Sequence, residues 1–120
     1  MRGYDFHPEA RVDLNEVWEY IAEDNPEAAD SIMDKIEAVL EVLVPFPNQG
    51  HRRADLTGRP LRFIVVRDYL IAYAPEEKPL WVVAVMHGRR NPRVMAAILR
   101  GRESGLFQFR VIALGGGAAL

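Results

Sequence analysis

The chain contains no cysteine, which excludes a disulfide framework, a thiolate metal site and a cysteine nucleophile, and fits a reducing compartment. No apolar run approaches the roughly 20 residues needed to cross a bilayer. The opening stretch MRGYDFHPEAR also lacks the apolar core of a signal peptide. The expected location is therefore the cytoplasm, with no membrane partner. Lysine is nearly missing, with Lys35 and Lys78 the only two. There is no glycine-rich phosphate cradle, no Ser/His/Asp arrangement and no cluster of metal-ligating residues, so no metal or other cofactor is expected.

What is present is a charge split. Residues 1–50 carry 3 basic and 12 acidic side chains, a net of −9, whereas residues 51–120 carry 12 basic and 5 acidic, a net of +7. The overall value of −2 hides this. Acidic residues of the first half fit the solvated faces of helices. In the second half, 11 of the 12 basic residues are arginine, the side chain whose fork matches carboxylate and phosphate. Several stand at the ends of apolar runs. At 120 residues the chain has room for one domain that buries about two thirds of its unfolded surface.

The apolar pattern predicts an α+β fold. Tyr4 to His7 is a short candidate strand. Glu9 to Asp24 reads as a helix, with Pro8 in its first turn and Leu14, Val17, Trp18 and Ile21 at i, i+3, i+4 and i+7; Asp13, Glu16, Glu19 and Glu23 are left for solvent. Asn25-Pro26 opens a second helix to Leu43, striped with Ile32, Ile36, Val39, Leu40 and Leu43. So short a link makes the pair an antiparallel α-hairpin, and Trp18 and Met33 are expected in its core. Val44 to Pro60 is a loop by composition. Leu61 to Arg67 alternates, Arg67-Asp68 turns tightly into Tyr69 to Ala74, and Leu80 to His87 is apolar on both faces. These three runs form an antiparallel meander. Arg93 to Arg100 is a short C-terminal helix.

Candidate functional residues sit where arginine meets a strand end. Arg62 opens the first meander strand, and His87 and Arg89 close the last. If strand geometry continues, His87 and Arg89 share a side, bringing an imidazole and a guanidinium together. The structural alternative is that Arg89 pairs with an acidic neighbour while His87 packs. His51, Arg52 and Arg53 form a second basic group in the loop, either phosphate-facing or simply solvated.

Four stretches carry a family resemblance: HPEARVDLNEVWEYIAEDNPEAAD at 7–30, PFPNQGHRR at 45–53, LRFIVVRDYLIAY at 61–73 and VVAVMHGRRNP at 82–92. In this order they resemble the ParE/RelE superfamily of toxins from bacterial type II toxin–antitoxin modules, over about residues 4–100. The hairpin, the Tyr-Leu-Ile-x-Tyr strand and the His-x-x-Arg ending are more similar to the ParE branch. That resemblance implies a plasmid-stabilization type toxin that inhibits DNA gyrase without being an enzyme. It also implies a hetero-oligomer with a cognate ParD-like antitoxin, which reaches DNA only through the complex. The RelE branch implies instead a ribosome-dependent mRNA endoribonuclease, in which His87, Arg89, Arg62 and His51 would be the catalytic candidates. The lysine cluster and C-terminal tyrosine typical of that branch are missing here. A third alternative is an inactive antitoxin-binding module. Under the ParE reading, Arg52, Arg53, Arg62 and Arg89 are the target-binding candidates. Where the family commonly has serine before the helix-opening proline, this chain has His7, a poorer cap. Residues 1–100 are read as the toxin domain. Residues 101–120 form a tail outside the resemblance, with Leu106 to Leu114 apolar enough for a further strand or helix and GGGAAL flexible by composition.

Overall fold

The computed structural model describes residues 3–113, and side chains as far as residue 102. Strand β1 (Tyr4–Phe6) leads into helices α1 (Pro8–Ala22) and α2 (Pro26–Leu43). A 3-10 turn (Pro47–Gln49) follows, then β2 (Arg62–Val66), β3 (Tyr69–Ala74), β4 (Leu80–His87) and helix α3 (Pro92–Ala113). This is the expected α+β arrangement. The sheet order is β1-β4-β3-β2. β2, β3 and β4 form the antiparallel meander, and β1 joins the far side of β4 in parallel.

Helix α1 begins where Pro8 removes a backbone donor that a first turn leaves orphaned anyway. His7, in the place where serine is common, caps α1: its buried ring accepts the Glu9 backbone N–H at Nδ1 (3.0 Å). Asn25 caps α2 in the same way, its Oδ1 accepting from Ala28 N at 3.1 Å.

The sheet is covered on both faces. The α1/α2 hairpin supplies Val17, Ile36, Leu40 and Leu43 to one face, against Tyr4, Phe6, Ile71, Tyr73, Val82 and Val85. On the other face Leu56, Leu61, Met95 and Leu99, from the long loop and α3, meet Phe63, Leu70, Trp81, Val83 and Met86. Double coverage explains why β3 is buried along its whole length and β4 in all but its last residue. It also fixes where the strands go, because removing either layer would expose aromatic and branched side chains to water.

Four expectations change here. Trp18 is not core: it is 37 % exposed, and its Nε1–H donates to Asp30 Oδ1 at 2.8 Å across the hairpin. Met33 packs against the core as expected, though only partly buried. Asp13 is not left for solvent, its side chain being largely buried. The loop at 44–60 is not free of structure either, since His51 and Phe63 exchange two backbone hydrogen bonds of 2.8 Å each. Helix α3 continues past Arg100 without a break and takes in most of the apolar stretch 106–114; the GGGAAL segment lies outside the described residues.

One irregularity matters for function. The β3–β4 register skips Val83, so β4 carries a bulge there. Before it, Leu80 and Val82 turn their backbone groups towards β1, with Leu80 N donating to Gly3 O (2.9 Å) and Val82 O accepting from His7 N (2.8 Å). After it the alternation is shifted by one residue, and Val83 and Ala84 both lie in the second core.

Candidate functional site

Among the described residues no strand lies beside the outer edge of β4 beyond Val82, and Val83 O and Val85 N point into that gap. Two side chains fill it. Asp13 Oδ2 accepts from Val85 N (2.9 Å), and Arg102 Nη1 donates to Val83 O (3.1 Å). The two also pair with each other through a fork, with Nη2 to Oδ1 at 3.0 Å and Nη1 to Oδ2 at 2.5 Å. Their side chains are 13 % and 9 % exposed. An ion pair this buried is sustained because its remaining hydrogen-bonding positions are also met. It ties α3 to α1 across the sheet edge. His7 lies near enough to feel it: burial first, then the Arg102 charge, hold the His7 pKa below its ordinary value.

Past this pair lies a cleft of about 210 Å³ at the end of the sheet. Asp13, Glu16, Val17 and Tyr20 line it from α1, and Tyr69, Val85, His87 and Arg90 from the sheet side. The His87 ring meets Tyr69 edge to face, centroids 5.5 Å apart. Its Nδ1 accepts the Arg89 backbone N–H (3.1 Å), which leaves Nε2 to carry the proton of the neutral ring. Burial, followed by the Asp68 and Tyr20 charges, raises the Tyr69 pKa. Below the cleft two turns are joined, because Gly88 N donates to Asp68 O at 2.7 Å. Arg67 and Arg89 to Arg93 therefore lie on neighbouring backbone segments.

Among the sequence-derived candidates, His87 is joined to Arg89 only through the Arg89 backbone N–H, and the Arg89 side chain is exposed. Arg62 is elsewhere. It pairs with Tyr73, and Tyr73 with Val82, whereas His87 pairs with Tyr69 and Tyr69 with Val66. That puts Arg62 four residues along the strands from His87's row, about 13 Å. Its guanidinium is spent on backbone: Nη1 donates to Gly50 O (2.8 Å) and Asn48 O (3.3 Å). Tyr73 braces the same segment, its hydroxyl donating to Pro47 O (2.6 Å) and accepting from Gly50 N (2.9 Å). Arg53 forks onto Asp55 at 2.9 and 2.8 Å, which raises the arginine pKa and lowers that of the carboxylate. Arg52 and His51 are exposed.

Sequence reasoning missed Asp13, Glu16, Tyr20, Tyr69, Arg90 and Arg102. A signal existed for the first three. Asp13, Glu16, Val17 and Tyr20 follow the helical spacing i, i+3, i+4, i+7, so they share one face of α1.

A second concavity, about 220 Å³, lies between the hairpin and β1. Its floor is Tyr4, Phe6, Leu14, Met33, Ile36 and Leu40, and its rim is Arg11, Asp34 and Glu37. Among the described residues no group of three or more His, Asp or Glu is placed to hold a metal ion, and no helix is long and apolar enough to cross a membrane.

Compared with known proteins, residues 4–92 match the model of the family described as ParE toxin of type II toxin-antitoxin system, parDE. The matched span runs from β1 to the first residue of α3. No curated protein matches the chain.

Proposed function

The chain belongs to the ParE toxin family and is the toxin component of a type II toxin–antitoxin module, and from that premise we propose that it disables DNA gyrase in the cytoplasm and is neutralised by a ParD-like antitoxin. The observation that carries the reading is the match over residues 4–92, which takes in every element up to the start of α3. The hairpin groove supports the antitoxin half. An amphipathic helix lays its apolar side into a groove and its charged side on the rim. Here Phe6, Leu14, Ile36 and Leu40 offer the floor, while Asp34 and Glu37 offer acidic contacts to basic side chains of the partner. The complex is a hetero-oligomer.

On this reading the target-facing surface is the sheet end at His87 and Arg89. Arg62 and Arg53 hold loop structure from within and act on the target through the loop they brace. Arg52 is an outer contact. The toxin works as a binding inhibitor, without a bond made or broken on the target by its own side chains.

One specific feature favours a second reading, cleavage of mRNA. His87 shares its cleft with Glu16 and Arg90, an imidazole, a carboxylate and a guanidinium of the kinds that acid–base cleavage of a phosphodiester uses. Expression without antitoxin separates the readings. Gyrase poisoning gives filamentous cells with a DNA-damage response. Translation arrest without that response would replace it with the nuclease reading. Unaffected growth by a folded, antitoxin-binding protein would leave only a binding module.

A further inference from the structure

Four arginines of this fold are answered by groups of the protein itself. Arg11 pairs with Asp5 at 2.7 Å, Arg53 with Asp55, Arg102 with Asp13, and Arg62 with two carbonyl groups. The four at the sheet end differ. Arg67, Arg89, Arg90 and Arg93 are all exposed, and among the described residues no carboxylate lies within 4.0 Å of any of them. They occupy the β2–β3 turn, the turn after β4 and the first turn of α3, with the two turns joined by the Gly88–Asp68 hydrogen bond.

From this arrangement we propose that Arg67, Arg89, Arg90 and Arg93 form a binding site for the phosphate backbone of duplex DNA. Four guanidinium groups held on adjacent turns repel one another, and an anion with several regularly placed charges relieves that repulsion at several points together. Asp68 in the β2–β3 turn and Glu16 in the cleft that Arg90 lines are two carboxylates against four cations. Arg67 adds a separate observation. It holds φ of 57°, a left-handed conformation that glycine or asparagine adopts at less cost. A cationic side chain kept at a strained turn position marks the position as one where the charge is used. The whole chain has a formal net charge of −2, so it gains no general attraction to nucleic acid, and binding must come from the local cluster. The choice of duplex DNA over other polyanions rests on the gyrase reading, since gyrase presents the toxin with a DNA segment. The direct contact itself goes beyond that reading, in which DNA is reached only through the antitoxin complex.

The test is fluorescence anisotropy of a short labelled DNA duplex with the purified full chain, titrated at several salt concentrations. Four phosphate contacts give a slope of log K against log salt of about −3 to −4. The double variant Arg89→Gln/Arg93→Gln should flatten that slope by about 2. The charge-matched double Arg59→Gln/Lys78→Gln, at the opposite end of the sheet from the cluster, should leave it unchanged. None of the substituted positions is buried, and circular dichroism confirms that each variant is folded. No salt-dependent binding by the unmodified chain, equal flattening in the control, or tighter binding to single-stranded RNA of the same length overturns the proposal. Gyrase inhibition measured on the same preparations keeps the two claims apart. Inhibition without DNA binding overturns this inference and leaves the gyrase reading standing; DNA binding without inhibition does the reverse.

Discussion

The closed edge of β4 and the open end of the sheet use the same side chain to opposite purposes. At the edge, Arg102 is buried and gives its donors to Asp13 and Val83 O. At the end, Arg67, Arg89, Arg90 and Arg93 stand exposed, and among the described residues no carboxylate lies within 4.0 Å of them. The difference lies in the backbone. The bulge at Val83 turns two polar backbone groups towards a gap without a strand, and buried groups of that kind must be met. The turns at 67–68 and 88–91 are solvated and make no such demand. Whether an arginine serves folding or recognition here is decided by the backbone it stands beside.

The contrast is broken most forcefully at its buried side. Arg102→Ala leaves Asp13 charged, nearly buried and short of a partner, and urea denaturation should show a loss of about 3 kcal/mol or more. Replacing both residues by apolar ones of similar size should cost much less, because no buried charge is stranded. Next comes the brace under the loop. A Cβ at Gly50 would meet Tyr73 Oη at 2.6 Å and Phe63 O at 2.8 Å, so Gly50→Ala should cost about 2 kcal/mol by overpacking. Tyr73→Phe removes a hydroxyl that serves Pro47 O and Gly50 N together, with an expected loss of about 1 kcal/mol.

A milder perturbation is pH. The His7 pKa is lowered by burial and by Arg102 from its ordinary 6.5, and its Nδ1 must stay unprotonated to cap α1. The folded state therefore favours the neutral ring and the unfolded state binds the proton more readily. This contribution is complete above about pH 6.5 and is lost as pH falls through the lower folded value. Stability of a His7→Asn variant, which keeps a capping oxygen, should fall less over the same interval. Smallest of all, Arg89→Ala and Arg93→Ala should change stability by no more than about 0.5 kcal/mol. If either destabilised the fold as much as Arg102→Ala, the division between the two regions would fail.

Much of the architecture was legible in the chain. Asn25-Pro26 marks the start of α2 because capping side chain and N1 proline both act locally, and Arg67-Asp68 marks a hairpin because two apolar alternating runs flank it. The parts that escaped are set by distant partners. The spacing of Asp13 places it on a face with Glu16, Val17 and Tyr20, yet nothing nearby announces a guanidinium 89 residues away. Trp18 fell on an apolar stripe, but the stripe is wider than the surface the sheet covers. The Val83 bulge left no mark, since LWVVAVMH is apolar whichever way its residues alternate. The same limit applies to Arg62, whose place at a strand start is readable while the row it occupies depends on register.

The most direct test of the central claim is supercoiling of relaxed plasmid by DNA gyrase, titrated with the purified chain in the presence and absence of its antitoxin. The account expects supercoiling to be lost and cleaved plasmid to accumulate, with both effects reversed by antitoxin. Full supercoiling at a large excess of a folded chain that still binds antitoxin would contradict it.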